Sequence, residues 1–312
     1  MRPIPMSHGR IKGWVVITKY LNVLMHIVCN NRIFLGALGL LNRCSGRRLI
    51  DSVFLAYPAN EHIIRRHMFL PLRSVFRTSP GLLGFFLVNR RLTLIFSLAA
   101  VEAEIFQFSR PELVTVQRNL GRIQRRLGAK HRTMAGVLPS VMLRAGVLQD
   151  NPQRDATVHI VCAAVEAVLG REGLGPAVPV VIVGALGHIG QGVCETLSRT
   201  RQTIALDRGD DVAQRLRDLH QPHLVLNVAS YTAWKSIVPG LGPGAIVLNE
   251  VYPPPSGSVR HALTALAPLY HVSGVKTTWS VPRLAEGYHD VMPCCAATGD
   301  PQRWQPKVIR LQ

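Results

Sequence analysis

The sequence predicts an α/β protein: a C-terminal Rossmann-like parallel-sheet domain preceded by an N-terminal α/β domain that carries substrate or partner. Three observations predict it. A β-branched run at 178–183 (VPVVIV) leads directly into glycines spaced Gly-x-x-Gly-x-x-Gly at Gly184, Gly187 and Gly190. Further short apolar runs follow at the spacing of strands that alternate with helices. The chain has 312 residues, 47% hydrophobic and 17% charged, which is enough apolar material for two cores and too little charge for disorder.

Before the glycine loop the boundaries are less sharply marked. Residues 1–150 read as a basic α/β domain and 151–177 as a helix and connector leading to the Rossmann domain at 178–312. Apolar runs at 49–57, 68–75, 82–88 and 92–99, punctuated by Pro58, Pro80 and basic turns, suggest strands alternating with short helices. The stretch 81–108 reads as a buried strand followed by a helix, because Asn89, Arg90 and Arg91 interrupt it too early for a membrane span. Residues 112–127 have helical spacing, with Leu113, Val116, Leu120, Ile123 and Leu127 on one face and Arg118, Arg122, Arg125 and Arg126 elsewhere. A strand ending in a Gly/Pro loop is expected over 133–143. At the N-terminus, 13–29 is apolar but interrupted by Lys19, Asn22 and His26, and no small-residue cleavage pattern follows. A signal peptide is therefore not expected, and a basic, acid-free transit peptide is the competing reading.

Charge is concentrated in the first half. Residues 1–150 hold 22 Lys and Arg against 6 Asp and Glu, whereas 151–312 hold 14 against 12. A field confined to one domain implies an anionic partner there, and charge does not choose among nucleic acid, a peripheral membrane contact, a polyphosphorylated or carrier-bound acyl substrate and an acidic carrier protein; nucleic acid is the least expected of these. An Arg-rich composition without functional meaning explains the count equally well. The six cysteines lack CxxC spacing, so no zinc site or disulfide framework is indicated and a reducing cytoplasm is the expected compartment.

The glycine loop carries the first chemical signal. In a Rossmann unit the glycines allow a sharp turn, close backbone approach to a pyrophosphate and tight helix–sheet packing, while the following helix offers free amides to the phosphates. Gly184, Leu186, Gly187, His188, Ile189 and Gly190 are therefore expected to bind the cofactor NAD(P)H. A second strand at 203–206 ends in Asp207, where a ribose-binding acid is expected; Asp207 favours NAD, and the adjacent Arg208 would pair with the phosphate of NADP. The choice between the two stays open. Strands at 224–228 and 245–248 place Asn227, Ala229 and Ser230 at carboxyl ends beside the nicotinamide.

Cys294 and Cys295, with His289 upstream, are the candidate catalytic residues, since a thiolate attacks a thioester readily. Buried, inert cysteine is the competing reading. Tyr252, Lys235, His271 and Lys276 read as polar groups on loops, and the Ser-x-x-x-Tyr-x-x-x-Lys arrangement of short-chain dehydrogenases is absent.

The segment order resembles the long-chain fatty acyl-(acyl carrier protein) reductases over about 110–295, on 133–140, 157–169 (TVHIVCAAVEAVL), the glycine loop and 224–252. That resemblance implies reduction of an acyl thioester to an aldehyde through a cysteine, Cys294 or Cys295, with NADPH. The chain departs from the family where it turns polar at Thr298 and where Pro254 replaces a lysine. Two alternatives stay open: an NAD(P)-dependent dehydrogenase of a small keto, imino or hydroxy acid, built like shikimate dehydrogenase or ornithine cyclodeaminase and without a covalent step, and a non-catalytic dinucleotide-sensing or nucleic-acid-binding protein.

Overall fold

The computed structural model describes residues 31–45, 49–58, 60–61, 64–65, 72–151, 153–281 and 291–312. The N-terminal apolar stretch, Cys29 and His289 lie outside the described residues. The chain divides into two units, Met1–Asn151 and Pro152–Gln312.

The first unit contains α1 (Arg32–Cys44), β1 (Ile50–Ala56), α2 (Arg73–Phe76), β2 (Gly81–Val88), β3 (Arg91–Ser97), α3 (Glu102–Ile105), α4 (Arg110–Leu127), β4 (His131–Met134) and α5 (Leu138–Arg144). Its strands run in the order β2-β3-β1-β4, with β2 antiparallel to β3 and β1 parallel to both β3 and β4. Where the sequence suggests a strand and then a helix over 81–108, the structure has a hairpin. Asn89 and Arg90 take φ of 49° and 64°, the left-handed pair of a tight hairpin turn, and this returns the chain antiparallel along β2. The strand expected at 133–143 is also shorter: β4 ends at Met134, and Pro139 falls in the first turn of α5.

Helix α4 buries the face its spacing predicts, with Leu113, Val116, Leu120, Ile123 and Leu127 all in the core. Glu112 closes its start, its Oε2 accepting from Ser109 N at 2.8 Å and from Ser109 Oγ at 2.7 Å, and Gly128, at φ 64°, closes its end. Asn42 of α1 ties three segments together: its Nδ2 donates to the carbonyls of Ile50 and Leu127, and its Oδ1 accepts from Ile50 N.

The second unit contains α6 (Arg154–Arg171), β5 (Val180–Val183), α7 (His188–Leu197), β6 (Thr203–Leu206), α8 (Val212–Arg217), β7 (His223–Asn227), α9 (Trp234–Ile237), β8 (Ala245–Asn249), α10 (Gly257–Leu266), β9 (Leu269–Lys276), β10 (Trp279–Val281), β11 (Val291–Met292) and β12 (Pro306–Leu311). Its sheet has seven strands, ordered β11-β9-β8-β7-β5-β6, with β12 also pairing β9. The five strands from β6 to β9 are parallel; β11 and β12 run antiparallel to β9. Each residue of β5, β7 and β8 is buried, as a sheet covered on both faces requires. Helix α6 belongs to this unit, where it packs on α7 and β12. The protein is thus an α/β protein with a doubly wound sheet in its second unit.

Candidate dinucleotide site

The chain leaves β5 for β6 on one side and then returns to β7 on the other. The carboxyl ends of β5 and β7 therefore flank the point where strand order reverses, which is where open α/β sheets bind ligands. The glycine loop occupies that point. Gly184 takes φ 97°, and a Cβ there would lie 2.7 Å from the backbone N and Cα of Ala229, so only glycine lets the β5 turn cross the loop after β7. A Cβ on Gly190 would stand 2.0 Å from the Gly184 carbonyl, and this closeness seats α7 against the loop. Gly187 is the N-cap of α7 and has no side chain with which to cap it. The first-turn amides at Ile189 and Gly190 thus receive no cap from that position.

Asp207 follows β6 and is joined to this loop. Its Oδ2 accepts from Leu186 N and its Oδ1 from Arg208 N, both at 2.7 Å, while its own amide donates to Asp210 Oδ2. Each carboxylate oxygen retains a second lone pair. Arg208 is exposed beside it, and Leu186 is 71% exposed at the tip of the loop. Arg154 of α6, to which the sequence pattern does not point, donates through Nε to the His188 carbonyl at 3.0 Å and brings positive charge to the start of α7.

A buried polar ladder shapes the neighbouring loops. Asn227 and Asn249, at the carboxyl ends of β7 and β8, and His271, inside β9, are register partners, and all three are fully buried. Asn227 Oδ1 accepts from Ala229 N at 3.1 Å, and its Nδ2 donates to Asn249 Oδ1 at 3.3 Å and to the Ser230 carbonyl. Asn249 Nδ2 donates to the Val251 carbonyl at 2.6 Å and lies 3.0 Å from His271 Nδ1. Asn227 thus positions Ala229, which is exposed, and Ser230, whose Oγ bonds Thr232 Oγ1 at 2.8 Å.

His271 is not the loop residue its surroundings in sequence suggest: it is internal to β9, and burial pushes its imidazole down to about 4. Lys276 ends that strand and is exposed, Lys235 is exposed on α9, and Tyr252 is 42% exposed.

Glu250, immediately after β8, is the residue that sequence reasoning misses. Its amide donates to the Asn227 carbonyl at 3.1 Å, which fixes it at the same carboxyl edge. Enough protein packs around its carboxyl that desolvation raises it to about 7. In the sequence its only signal is an acid following a predicted parallel strand.

Cys294 begins a short 3₁₀ turn and is buried. Its thiol is pushed well up, first by burial and then by the nearby Glu250 carboxyl, so it is held as the neutral thiol. Cys295 is half-buried beside it. Among the described residues no cluster of His, Cys, Asp or Glu could hold a metal ion. Among them, too, no helix is long and apolar enough to cross a membrane.

No family model matches the chain, and no curated protein matches it. Solved structures do. The bifunctional methylenetetrahydrofolate dehydrogenase/cyclohydrolase from Campylobacter jejuni is 11% identical over 88% of this chain and 84% of its own, with a TM-score of 0.35. The corresponding enzyme from Trypanosoma brucei, crystallised with NADP and an inhibitor, is 14% identical over 74% and 76%, with a TM-score of 0.34. A dipicolinate synthase chain from Bacillus halodurans is 9% identical over 70% and 88%, with a TM-score of 0.29. At these values the likenesses assign no activity to this chain, and the site is read from its own geometry.

Proposed function

We propose that this protein is an NAD(P)-dependent oxidoreductase that acts on a small keto, imino or hydroxy acid without a covalent intermediate. The observation that carries this reading is the glycine loop at the strand-order reversal, hydrogen-bonded to Asp207 and opening an uncapped helix. Each glycine has a separate task there, and the set fits a pyrophosphate: Gly184 and Gly190 permit the close packing, and Gly187 adds no capping side chain at the start of α7. Asp207 and Arg208 would meet the adenosine ribose, and the first turn of α7 the phosphates. A bound nicotinamide would supply a hydride donor or acceptor.

Interconversion of a carbonyl or imine with an alcohol or amine moves a proton along with the hydride. Glu250 suits that proton, since a carboxyl raised to about 7 can both hold and release it near neutral pH. The Asn227–Asn249 ladder holds the loops on which it sits. The basic balance of residues 1–150 suits an acidic substrate.

Acyl thioester reduction through Cys294 or Cys295 is the second reading. Burial and the Glu250 carboxyl, which keep Cys294 protonated, weigh against it. The test is oxidation of NADH or NADPH by a panel of small 2-oxo acids and, separately, of acyl thioesters, repeated with Glu250→Gln and with Cys294→Ala/Cys295→Ala. Turnover that survives loss of both thiols and falls with Glu250→Gln supports the proposal. Turnover only with acyl thioesters, abolished by loss of the thiols, overturns it.

A further inference from the structure

The first unit holds a groove of about 670 Å³ between α1, α4 and the segment 75–80. That is the size of a small-molecule site. Leu35, Pro80 and Ile123 form its buried floor, and Phe76 lies alongside them. Arg32, Arg122 and Arg126 line the same groove, the last two one turn apart on α4.

The charge there is uncompensated. Among the described residues no carboxylate pairs with Arg32, Arg122 or Arg126. The nearby acids are engaged elsewhere: Glu61 and Glu104 with Arg73, and Glu104 and Glu112 with Arg77. Residues 1–30 contain no Asp or Glu.

We infer that this groove binds a small amphiphilic anion. Its apolar body would lie on Leu35, Phe76 and Ile123, and its phosphate, sulfate or carboxylate head against Arg122 and Arg126. A bare anion would leave the apolar floor exposed to water, and a neutral apolar molecule would leave the guanidiniums unanswered. The inference concerns the first unit alone and stands or falls apart from the dinucleotide reading.

The test uses the full-length protein and the fluorescence of 1-anilinonaphthalene-8-sulfonate, itself an amphiphilic anion. The probe brightens with the protein and is displaced by monomeric decyl phosphate, but not by decanol or inorganic phosphate at the same concentration. Arg122→Gln with Arg126→Gln weakens decyl phosphate about tenfold or more, as expected for lost charge-assisted contacts, and leaves the thermal midpoint unchanged. Phe76→Ala, a variant of the apolar wall, weakens it independently of salt. Equal displacement by decanol, an unchanged affinity in the arginine variant, or binding only to anionic lipid vesicles would each overturn the proposal.

Discussion

The Asp207 carboxylate accepts the backbone amide of Leu186 at 2.7 Å, so the acid after β6 and the glycine loop after β5 form one hydrogen-bonded unit. Asp207→Ala leaves the Leu186 and Arg208 amides without that acceptor. Removal of charge-assisted bonds of this kind costs about 1.5–3 kcal/mol. Both the denaturation midpoint and nucleotide affinity are expected to fall. Asp207→Asn keeps one acceptor oxygen and should recover part of the stability, and chemical denaturation of the two variants side by side measures the difference.

The glycines of the loop separate folding from binding. Gly190→Ala places a Cβ against the Gly184 carbonyl, at 2.0 Å, and the loop or the helix must shift. A loss of about 1–3 kcal/mol is expected, as for overpacked cores. Gly187→Ala brings its Cβ no nearer than 3.1 Å to the same oxygen, at an exposed N-cap. It should fold normally and still lose nucleotide affinity, which thermal melting and titration distinguish.

Glu250 and His271 have opposite effects on stability as pH changes. A carboxyl raised from 4.5 to about 7 contributes stability fully below pH 4.5, and that contribution is lost as pH rises to about 7. An imidazole lowered from 6.5 to about 4 contributes above pH 6.5, and that contribution is lost as pH falls to about 4. The two slopes oppose one another over the shared range. Relative to wild type, Glu250→Gln should gain about 3 kcal/mol between acid and neutral pH, and His271→Gln should gain a similar amount on acidification. Denaturant unfolding across this range checks both signs.

The parts of this fold that depend on local pattern are legible in the sequence. The apolar spacing of α4, the run at β5 and the glycine loop each follow from residue type and period, and β6 has the predicted bounds. What escapes is set by surroundings. Asn89-Arg90 adopts a left-handed turn without the usual glycine, so the β2–β3 hairpin is hidden. The strand around His271 looks polar because its buried imidazole is satisfied by Asn249, a partner 22 residues away in the chain. Glu250 and Cys294 illustrate the same limit: desolvation raises the proton affinity of both, and for Cys294 the Glu250 carboxyl, 44 residues away in the chain, adds to it.

In the first unit, Asn42 satisfies two carbonyls and one amide at 2.8–3.0 Å from inside the core. Asn42→Ala should cost about 3 kcal/mol or more, because buried partners from β1 and α4 lose their bonds together. Loss of hydrogen-exchange protection at Ile50 would accompany it.

Calorimetric titration with NAD⁺, NADH, NADP⁺ and NADPH bears most directly on the proposed chemistry. One site per chain for at least one of the four, weakened in the folded Gly187→Ala variant, is the expected result. No uptake of any of them by folded wild-type protein, or equal uptake by Gly187→Ala, would contradict a phosphate cradle at the start of α7.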